Sequence, residues 1–456
     1  MVFRKDNLMI RIPTSRRQFL AGSFFGTVAA TLANRIGSGV AAQLPTTYTA
    51  IEQSRNAALA VLKPSNKDLE HGLALHKASL VFDVYGFSPN AAVDGDILAS
   101  AIKAGASDIE VQDLTEDQRM TRHVTDATEL AEYLAAWEAS GVTCVFQNAG
   151  EEGSDPLRLL KRLARFTYVT DHLRESVFKA VGPDDIEAAK KQNRRCLYLT
   201  GNGVPLAGDL FSVTDELRYI RTFFELGIRM MHVTYNRRNL LGDGCAEPAN
   251  GGLSDLGRAA IAEMNRVGVI VDVAHSGWRT SLEAAKVSTR PIVASHTASD
   301  AVRHHIRNKP DEVINAIVDG GGLVGVCCIP NFLGSGGDIA ALLDHIDHVV
   351  QKFGIDHVAI GTDTGHRSSR DAAEIAKRPK RDPRRTRYEA LWPAGSLDGN
   401  YPNAKTLAWT NWPYFTVGLV QRGYKDDDIR KILAMNMVRV ARAALQQKPG
   451  GTPRTK

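Results

Sequence analysis

Short apolar runs of the kind that form buried strands recur along this chain, and segments with helical periodicity separate most of them. The runs are rich in Val, Ile and Ala without polar alternation, which is typical of strands buried on both faces. Strands that alternate with helices predict a parallel sheet, and eight or nine such units favour an α/β fold of the (β/α)8 TIM-barrel type. The runs are Ala78–Asp83, Asp108–Val111, Val142–Phe146, Cys196–Leu199, Ile228–Thr234, Val267–Val273, Pro291–Ala294, Leu323–Cys327 and His357–Gly361.

The amino terminus carries an export signature rather than part of the fold. Arg16 and Arg17 stand in the string SRRQFL, and an apolar stretch over residues 19–33 and the small residues Val40-Ala41-Ala42 follow it. This pattern is typical of a twin-arginine signal peptide. We expect residues 1–42 to be removed and the protein to lie in the periplasm. The apolar stretch is short for a transmembrane span, so no stable membrane insertion is expected, with an uncleaved anchor as the alternative.

The positive net charge belongs mostly to this signal. The chain has 56 Lys and Arg against 51 Asp and Glu, a net charge of +5. Six of these basic residues and one of the acidic residues lie within residues 1–42, so their removal leaves 50 of each. A neutral mature protein gives no electrostatic reason to expect nucleic-acid binding.

Residues 43–456 are predicted to form a single barrel domain. A charge-dense segment over residues 367–387 follows the last predicted strand, so we expect a long basic loop at the barrel mouth. It is either a solvated surface loop or a lid or docking surface for an acidic partner. The segment over residues 407–445 is predicted to be helical and to close the fold.

Two histidines follow successive buried runs. His275 ends the run VGVIVDVAHSG, and His296 ends RPIVASHTAS about twenty residues later. Active sites of (β/α)8 barrels are built at the carboxyl ends of the strands, so these imidazoles are expected to converge on one point. Two converging imidazoles indicate a divalent metal site. The alternative is a pair of hydrogen-bonded core histidines.

Arg307 and Asp363 are candidates for the same face of the barrel. Arg307 lies eleven residues after His296 and could hold a substrate carboxylate by two parallel hydrogen bonds. Asp363 follows the last strand and could be a metal ligand or a general base. A surface ion pair for the arginine and a turn-capping role for the aspartate remain open.

Several of these strings resemble the renal (membrane) dipeptidase family of metallopeptidases. The strings are GLSDLG from Gly252, EMNRVG from Glu263, VDVAHS from Val271, PIVASH from Pro291, HIRN from His305, HVAIGTD from His357 and RGY from Arg422. The resemblance is strongest between Thr222 and Asp363.

The resemblance implies an amidohydrolase-type barrel that holds two bridged zinc ions and cleaves dipeptides. It identifies His275 and His296 with the histidines of the second metal site. By the same comparison, Arg307 is the arginine that holds the substrate carboxylate, and Asp363 is the carboxylate that handles the proton of the attacking water.

Other positions depart from the family pattern. The His-x-Asp pair of the family's first strand is replaced by Tyr85 and Phe87, the bridging Glu of its fourth strand by Thr200, and the histidine of its fifth strand by Tyr235. The first metal site therefore loses its ligands. We predict at most one zinc ion, bound by His275 and His296.

Two functions are compatible with these retained and substituted site positions. The first is an exported dipeptidase-like metallohydrolase that cleaves a dipeptide or peptide-like amide, in which Tyr235 donates to the oxyanion. The second is a catalytically degenerate periplasmic protein for peptide binding or maturation, in which Tyr85, Phe87 and Tyr235 line the pocket. Both predict a small peptide or amino-acid-derived ligand, contacted by Tyr85 and Arg307. A homodimer is expected only by analogy with the family.

Overall fold

Nine parallel strands form one sheet in the part of the chain that the structure, a computed structural model, describes: residues 48–150, 153–380 and 391–445. The strands are β1 Phe82–Gly86, β2 Cys144–Asn148, β3 Val177–Lys179, β4 Arg195–Gly201, β5 Ile228–His232, β6 Ile270–Asp272, β7 Val293–Thr297, β8 Leu323–Val326 and β9 Val358–Ile360. Eight of them follow one another in the order β1-β2-β4-β5-β6-β7-β8-β9, which confirms the predicted (β/α)8 class. The ninth, β3, pairs only with the first half of β4.

The last strand returns to the first and nearly closes the barrel. Just after β9, the backbone N–H of Asp363 donates to the carbonyl of Tyr85 at 2.9 Å. The backbone N–H of Thr362 donates to Asp83 Oδ1, also at 2.9 Å. These bonds fix the carboxyl end of β9 beside that of β1, where barrel active sites are built.

Side chains of the strands alternate between two hydrophobic clusters. Phe146 and Met230 pack inside the barrel, whereas Val145 and Met231, one residue along, pack against the outer helices. Because the side-chain period of a strand is two, each strand contributes to both layers. The polar residues that form the site continue the inner face at the carboxyl ends of the strands.

Helices surround the barrel and close it. Trp412–Gln421, Asp426–Arg430 and Asn436–Leu445 occupy the carboxyl-terminal segment that was predicted to be helical. The other helices are Thr49–Leu62, Asn66–Ala78, Gly95–Lys103, Asp108–Thr121, Ala127–Ser140, Pro156–His172, Pro183–Lys191, Val213–Glu216, Arg218–Glu225, Asp255–Val267, Trp278–Val287, Asp311–Asp319, Pro330–Leu333, Ile339–Phe353 and Asp371–Ala376. Arg122–Val124, Ile355–His357, Ala404–Leu407 and Trp409–Asn411 are 3₁₀ turns, and Lys431–Met435 is a π turn.

One local prediction is wrong. Asp108–Val111, predicted to be a strand, is the first turn of the helix Asp108–Thr121. Ser107 and Glu110 form a reciprocal capping box there, which satisfies the free N–H groups of a helix start and outweighs the short apolar pattern. The segment predicted as a basic loop contains the helix Asp371–Ala376.

Some predictions lie outside the described residues. The signal peptide, residues 1–42, and the basic string from residue 381 to 387 are among them. Among the helices that the structure does describe, none combines the length and the apolar character needed to cross a bilayer.

Candidate metal centre

Three histidines meet at the carboxyl ends of β5, β6 and β7. His232 is the last residue of β5, His275 lies three residues beyond β6, and His296 lies within β7. All three are buried, and one ring nitrogen of each lies within 4.8 Å of the others. The predicted pair is adjacent, with 2.8 Å between the Nε2 atoms of His275 and His296.

The other ring nitrogen of each predicted histidine faces an oxygen. His275 Nδ1 lies 2.6 Å from Asn236 Oδ1, and His296 Nδ1 lies 2.8 Å from Ser295 Oγ. Burial, followed by the charge of Arg307, lowers the pKa of both imidazoles well below the usual value. Both rings are therefore neutral at physiological pH, which is the form that binds a metal.

Asp272 is a buried carboxylate beside these rings. It accepts hydrogen bonds from the backbone N–H groups of Ala274 at 2.9 Å and Ser295 at 3.1 Å, and one from the Ser295 hydroxyl. Burial alone would raise the pKa of Asp272, but His232 and these hydrogen bonds hold it below its ordinary value. Asp272 therefore places a negative charge next to the histidine cluster.

Arg307 is brought to the same cluster but is fully buried. Its guanidinium donates to the carbonyl of Ala274 and, at 3.0 Å, to that of His296. Its Nη2 lies 3.3 Å from His275 Nε2. The Arg307 Nε–H has no hydrogen-bond partner among the described residues, so a donor remains for a ligand.

Two tyrosine rings stack on the histidines. Tyr85 lies on His296 with ring centroids 3.7 Å apart, and Tyr235 lies on His275 with centroids 3.9 Å apart. The Tyr85 hydroxyl donates to Asn202 Oδ1 at 2.5 Å. The structure thus places both predicted tyrosines at the centre, with the Tyr85 hydroxyl already bonded within the protein.

The other substituted positions contribute neutral groups. Phe87 packs edge-on against Tyr85, with 6.2 Å between ring centroids. The Thr200 hydroxyl donates to the Met230 carbonyl at 3.0 Å. The positions at which the family carries anionic ligands therefore hold a phenyl ring and a hydroxyl.

Asp363 follows β9 in a left-handed backbone conformation, with φ of 54°. Non-glycine residues rarely adopt this conformation, and those that do are concentrated at functional sites. Burial, followed by the charge of Asp363, raises the pKa of the Tyr85 phenol well above its ordinary value. The negative charge of Asp363 is therefore near the hydroxyl of Tyr85, whose ring stacks on His296.

The predicted histidine pair fits a metal ion, since two buried neutral imidazoles face each other through Nε2. The third histidine, His232, was not predicted. It could have been found from the two-residue period of a strand, because it lies two positions after Met230 and shares that residue's inward face.

Comparison with known proteins agrees with this architecture. The sequence pattern of the membrane dipeptidases, peptidase family M19, matches residues 101–376. The chain belongs to the membrane dipeptidase family. Dipeptidases of this family are metal-dependent.

Individual relatives of the family are distant. A dipeptidase of Claviceps purpurea is 26% identical over 294 residues, which are 63% of this chain and 59% of that protein. The chain thus spans about three fifths of this relative, and 38% of a dipeptidase of Aspergillus oryzae that is 34% identical over 160 residues.

The crystal structure of an amidohydrolase from Pseudomonas aeruginosa is similar to this chain, with 25% identity and a TM-score of 0.60 over 82% of this chain and 98% of that one. A probable dipeptidase from the same organism has 20% identity and a TM-score of 0.59, over 83% of this chain and 98% of that one, which indicates the same fold.

Proposed function

We propose that this protein is an exported metallohydrolase that cleaves a dipeptide or a peptide-like amide. The observation that carries the proposal is the convergence of His275 and His296, with Nε2 atoms 2.8 Å apart, beside the buried Arg307 in a member of the membrane dipeptidase family. Export by the twin-arginine route to the periplasm is supported by the string SRRQFL near the amino terminus.

His275 and His296 would hold a zinc ion. When bound there, zinc supplies Lewis-acid polarisation of water and of the scissile carbonyl. Both imidazoles are positioned for this by their Nδ1 contacts, because a second hydrogen bond fixes the orientation of a ligating ring.

The remaining groups would bind the substrate and move a proton. Arg307 would hold the substrate carboxylate through its unpartnered Nε–H. Asp363 would accept the proton of the attacking water, and Tyr235, stacked on His275, would donate a hydrogen bond to the oxygen that gains charge. Tyr85 would contact the substrate through its ring, since its hydroxyl is bonded to Asn202.

The experiment is hydrolysis of a panel of dipeptides, with an L- or a D-residue at the carboxyl end, by purified protein supplemented with zinc. Release of free amino acids, abolished by His275→Phe, is the expected result. The control is His123→Phe, which replaces a buried histidine that stacks on Tyr133 and whose ring nitrogens have no hydrogen-bond partner in the described part of the chain. Zinc-loaded protein that cleaves none of the dipeptides would contradict the proposal.

The second candidate function is binding of a small peptide without turnover. The observation in its favour is that Tyr85 and Thr200, at ligand positions of the family, bond to the protein itself. Calorimetric titration with the same dipeptides separates the two functions, since binding without release of amino acids would support only the second.

A further inference from the structure

His232 is a fully buried histidine on the inner face of β5. Its Nδ1 lies 3.0 Å from the carbonyl oxygen of Gly201. A carbonyl only accepts hydrogen bonds, so Nδ1 carries a proton, and Nε2 is the ring nitrogen that could bind a metal ion. Asp272 Oδ2 lies 3.0 Å from Nε2, so a carboxylate adjoins this nitrogen.

The same proton assignment holds for the other two rings. His275 Nδ1 faces the amide oxygen of Asn236, which accepts. His296 Nδ1 faces the hydroxyl of Ser295, which gives its own proton to the carboxylate of Asp272 and therefore accepts from the imidazole. In these two rings the proton lies on Nδ1, as it does in His232, and Nε2 of His275 and of His296 is an acceptor.

Nitrogen atoms of three buried rings thus lie close together. The Nε2 atoms of His275 and His296 are 2.8 Å apart, and the three side chains offer nitrogens within 4.8 Å of one another. Facing lone pairs without a proton between them repel, and burial strengthens the repulsion. A cation at their centre removes it.

We propose that His232, His275 and His296 are together the three protein ligands of a single divalent metal ion. This deepens the proposed function, on which it rests for the role of the metal. His232 replaces the missing anionic ligands as the third donor, and three histidines with an open fourth position form a recognised arrangement of catalytic zinc sites.

The surroundings favour one ion over two. Across the centre, Tyr85 and Asn202 bond to each other, and the Thr200 hydroxyl is bonded to a backbone carbonyl. None of these neutral groups replaces the carboxylates that a second ion would need. An all-imidazole set favours zinc, cobalt, nickel or copper over magnesium or calcium, which prefer oxygen ligands.

Asp272 acts on this site as a positioning residue. Its carboxylate accepts from Ser295, which in turn accepts from His296, and it lies beside His232. It thereby orients one ligand and places a negative charge near the ion. Such outer carboxylates commonly contribute about 10–100-fold to metal affinity.

The test is metal binding by the purified protein, measured without any substrate. Elemental analysis is expected to give one zinc per chain, and cobalt(II) substitution is expected to give the visible absorption of a four-coordinate ion. His232→Phe should weaken zinc binding by more than ~100-fold, beyond the loss typical of an outer residue. His123→Phe, the matched buried control, should leave it unchanged, and circular dichroism verifies that both variants fold.

Each outcome decides between the proposals. Two zinc ions per chain, no zinc, or unchanged zinc affinity and cobalt spectrum in His232→Phe would overturn the three-histidine site. If His232→Phe fails to fold, His232→Gln is measured by the same criteria. One zinc lost in the His232 variant, with no dipeptide cleaved by the wild type, would support the site and contradict only the proposed hydrolysis.

Discussion

The Nε2 atoms of His275 and His296 face each other at 2.8 Å, while the Nδ1 atom of each ring contacts an oxygen. Two core histidines hydrogen-bonded to each other would instead need a proton between the two Nε2 atoms. The oxygen contacts place that proton elsewhere, so the arrangement favours the metal-site interpretation over the core alternative.

Metal removal is expected to destabilise the protein. A ligand that binds only the native state stabilises it, by ~4 kcal/mol at a free concentration 1,000 times its dissociation constant. Treatment with a chelator should therefore lower Tm, and added zinc should restore it. The paired variant His275→Ala should show no response to zinc. An identical Tm for chelated and zinc-loaded wild type would contradict the prediction.

Tyr85→Phe is expected to lower the free energy of unfolding by about 1–3 kcal/mol, because it leaves the buried Asn202 Oδ1 without the hydroxyl that donates to it. The control is Tyr198→Phe, since the buried Tyr198 hydroxyl has no hydrogen-bond partner in the described part of the chain and its loss should be neutral or stabilising. Urea denaturation measures both variants. Equal effects of the two substitutions would show that the Tyr85 hydroxyl contributes no net stability.

The fold could be predicted from the sequence because its signal is local and repeated. Eight of the nine predicted runs overlap or adjoin observed strands, since burial on both faces selects apolar residues directly. The exception, Asp108–Val111, begins a helix, because the capping box of Ser107 and Glu110 outweighs its short apolar pattern. The strand Val177–Lys179 was missed because three residues carry too little pattern for detection.

The site was predicted less completely, because it depends on contacts between distant strands. Position relative to strand ends was enough to bring His275 and His296 together. His232 was missed because the resemblance assigns the histidine of the fifth strand to the position of Tyr235, three residues later. The burial of Arg307 under two backbone carbonyls follows from the path of its loop, which single-sequence patterns do not specify.

Asp83 predicts a pH dependence of stability. Burial raises the pKa of this carboxyl from 3.8 to about 7, against the hydrogen bonds from Thr362 and Trp409. Between these two values the native state holds a proton that the unfolded state has lost, so stability falls as pH rises, by up to ~1.4 kcal/mol per pH unit. Asp83→Asn removes this titration but leaves fewer acceptors for the three donors of Thr362 and Trp409.

The loss of unfolding free energy caused by Asp83→Asn should therefore be larger at pH 5 than at pH 8. Urea denaturation of wild type and variant at the two pH values gives this difference. A loss that does not change with pH would show that Asp83 titrates alike in the native and unfolded states.

Arg307 is expected to recognise the free carboxylate of the substrate. A hydrogen bond between charged groups contributes about 1.5–3 kcal/mol, so Arg307→Gln should lower kcat/KM for a hydrolysed dipeptide by roughly 10–150-fold. The same dipeptide with a carboxamide end lacks the charge and should be cleaved slowly by both proteins, with little difference between them. Arg279→Gln, which removes an exposed ion pair with Glu283, is the control and should leave both rates unchanged. Because Arg307 also donates to the carbonyls of Ala274 and His296, an equal fall for both substrates would mean that it supports the histidines instead of binding the carboxylate.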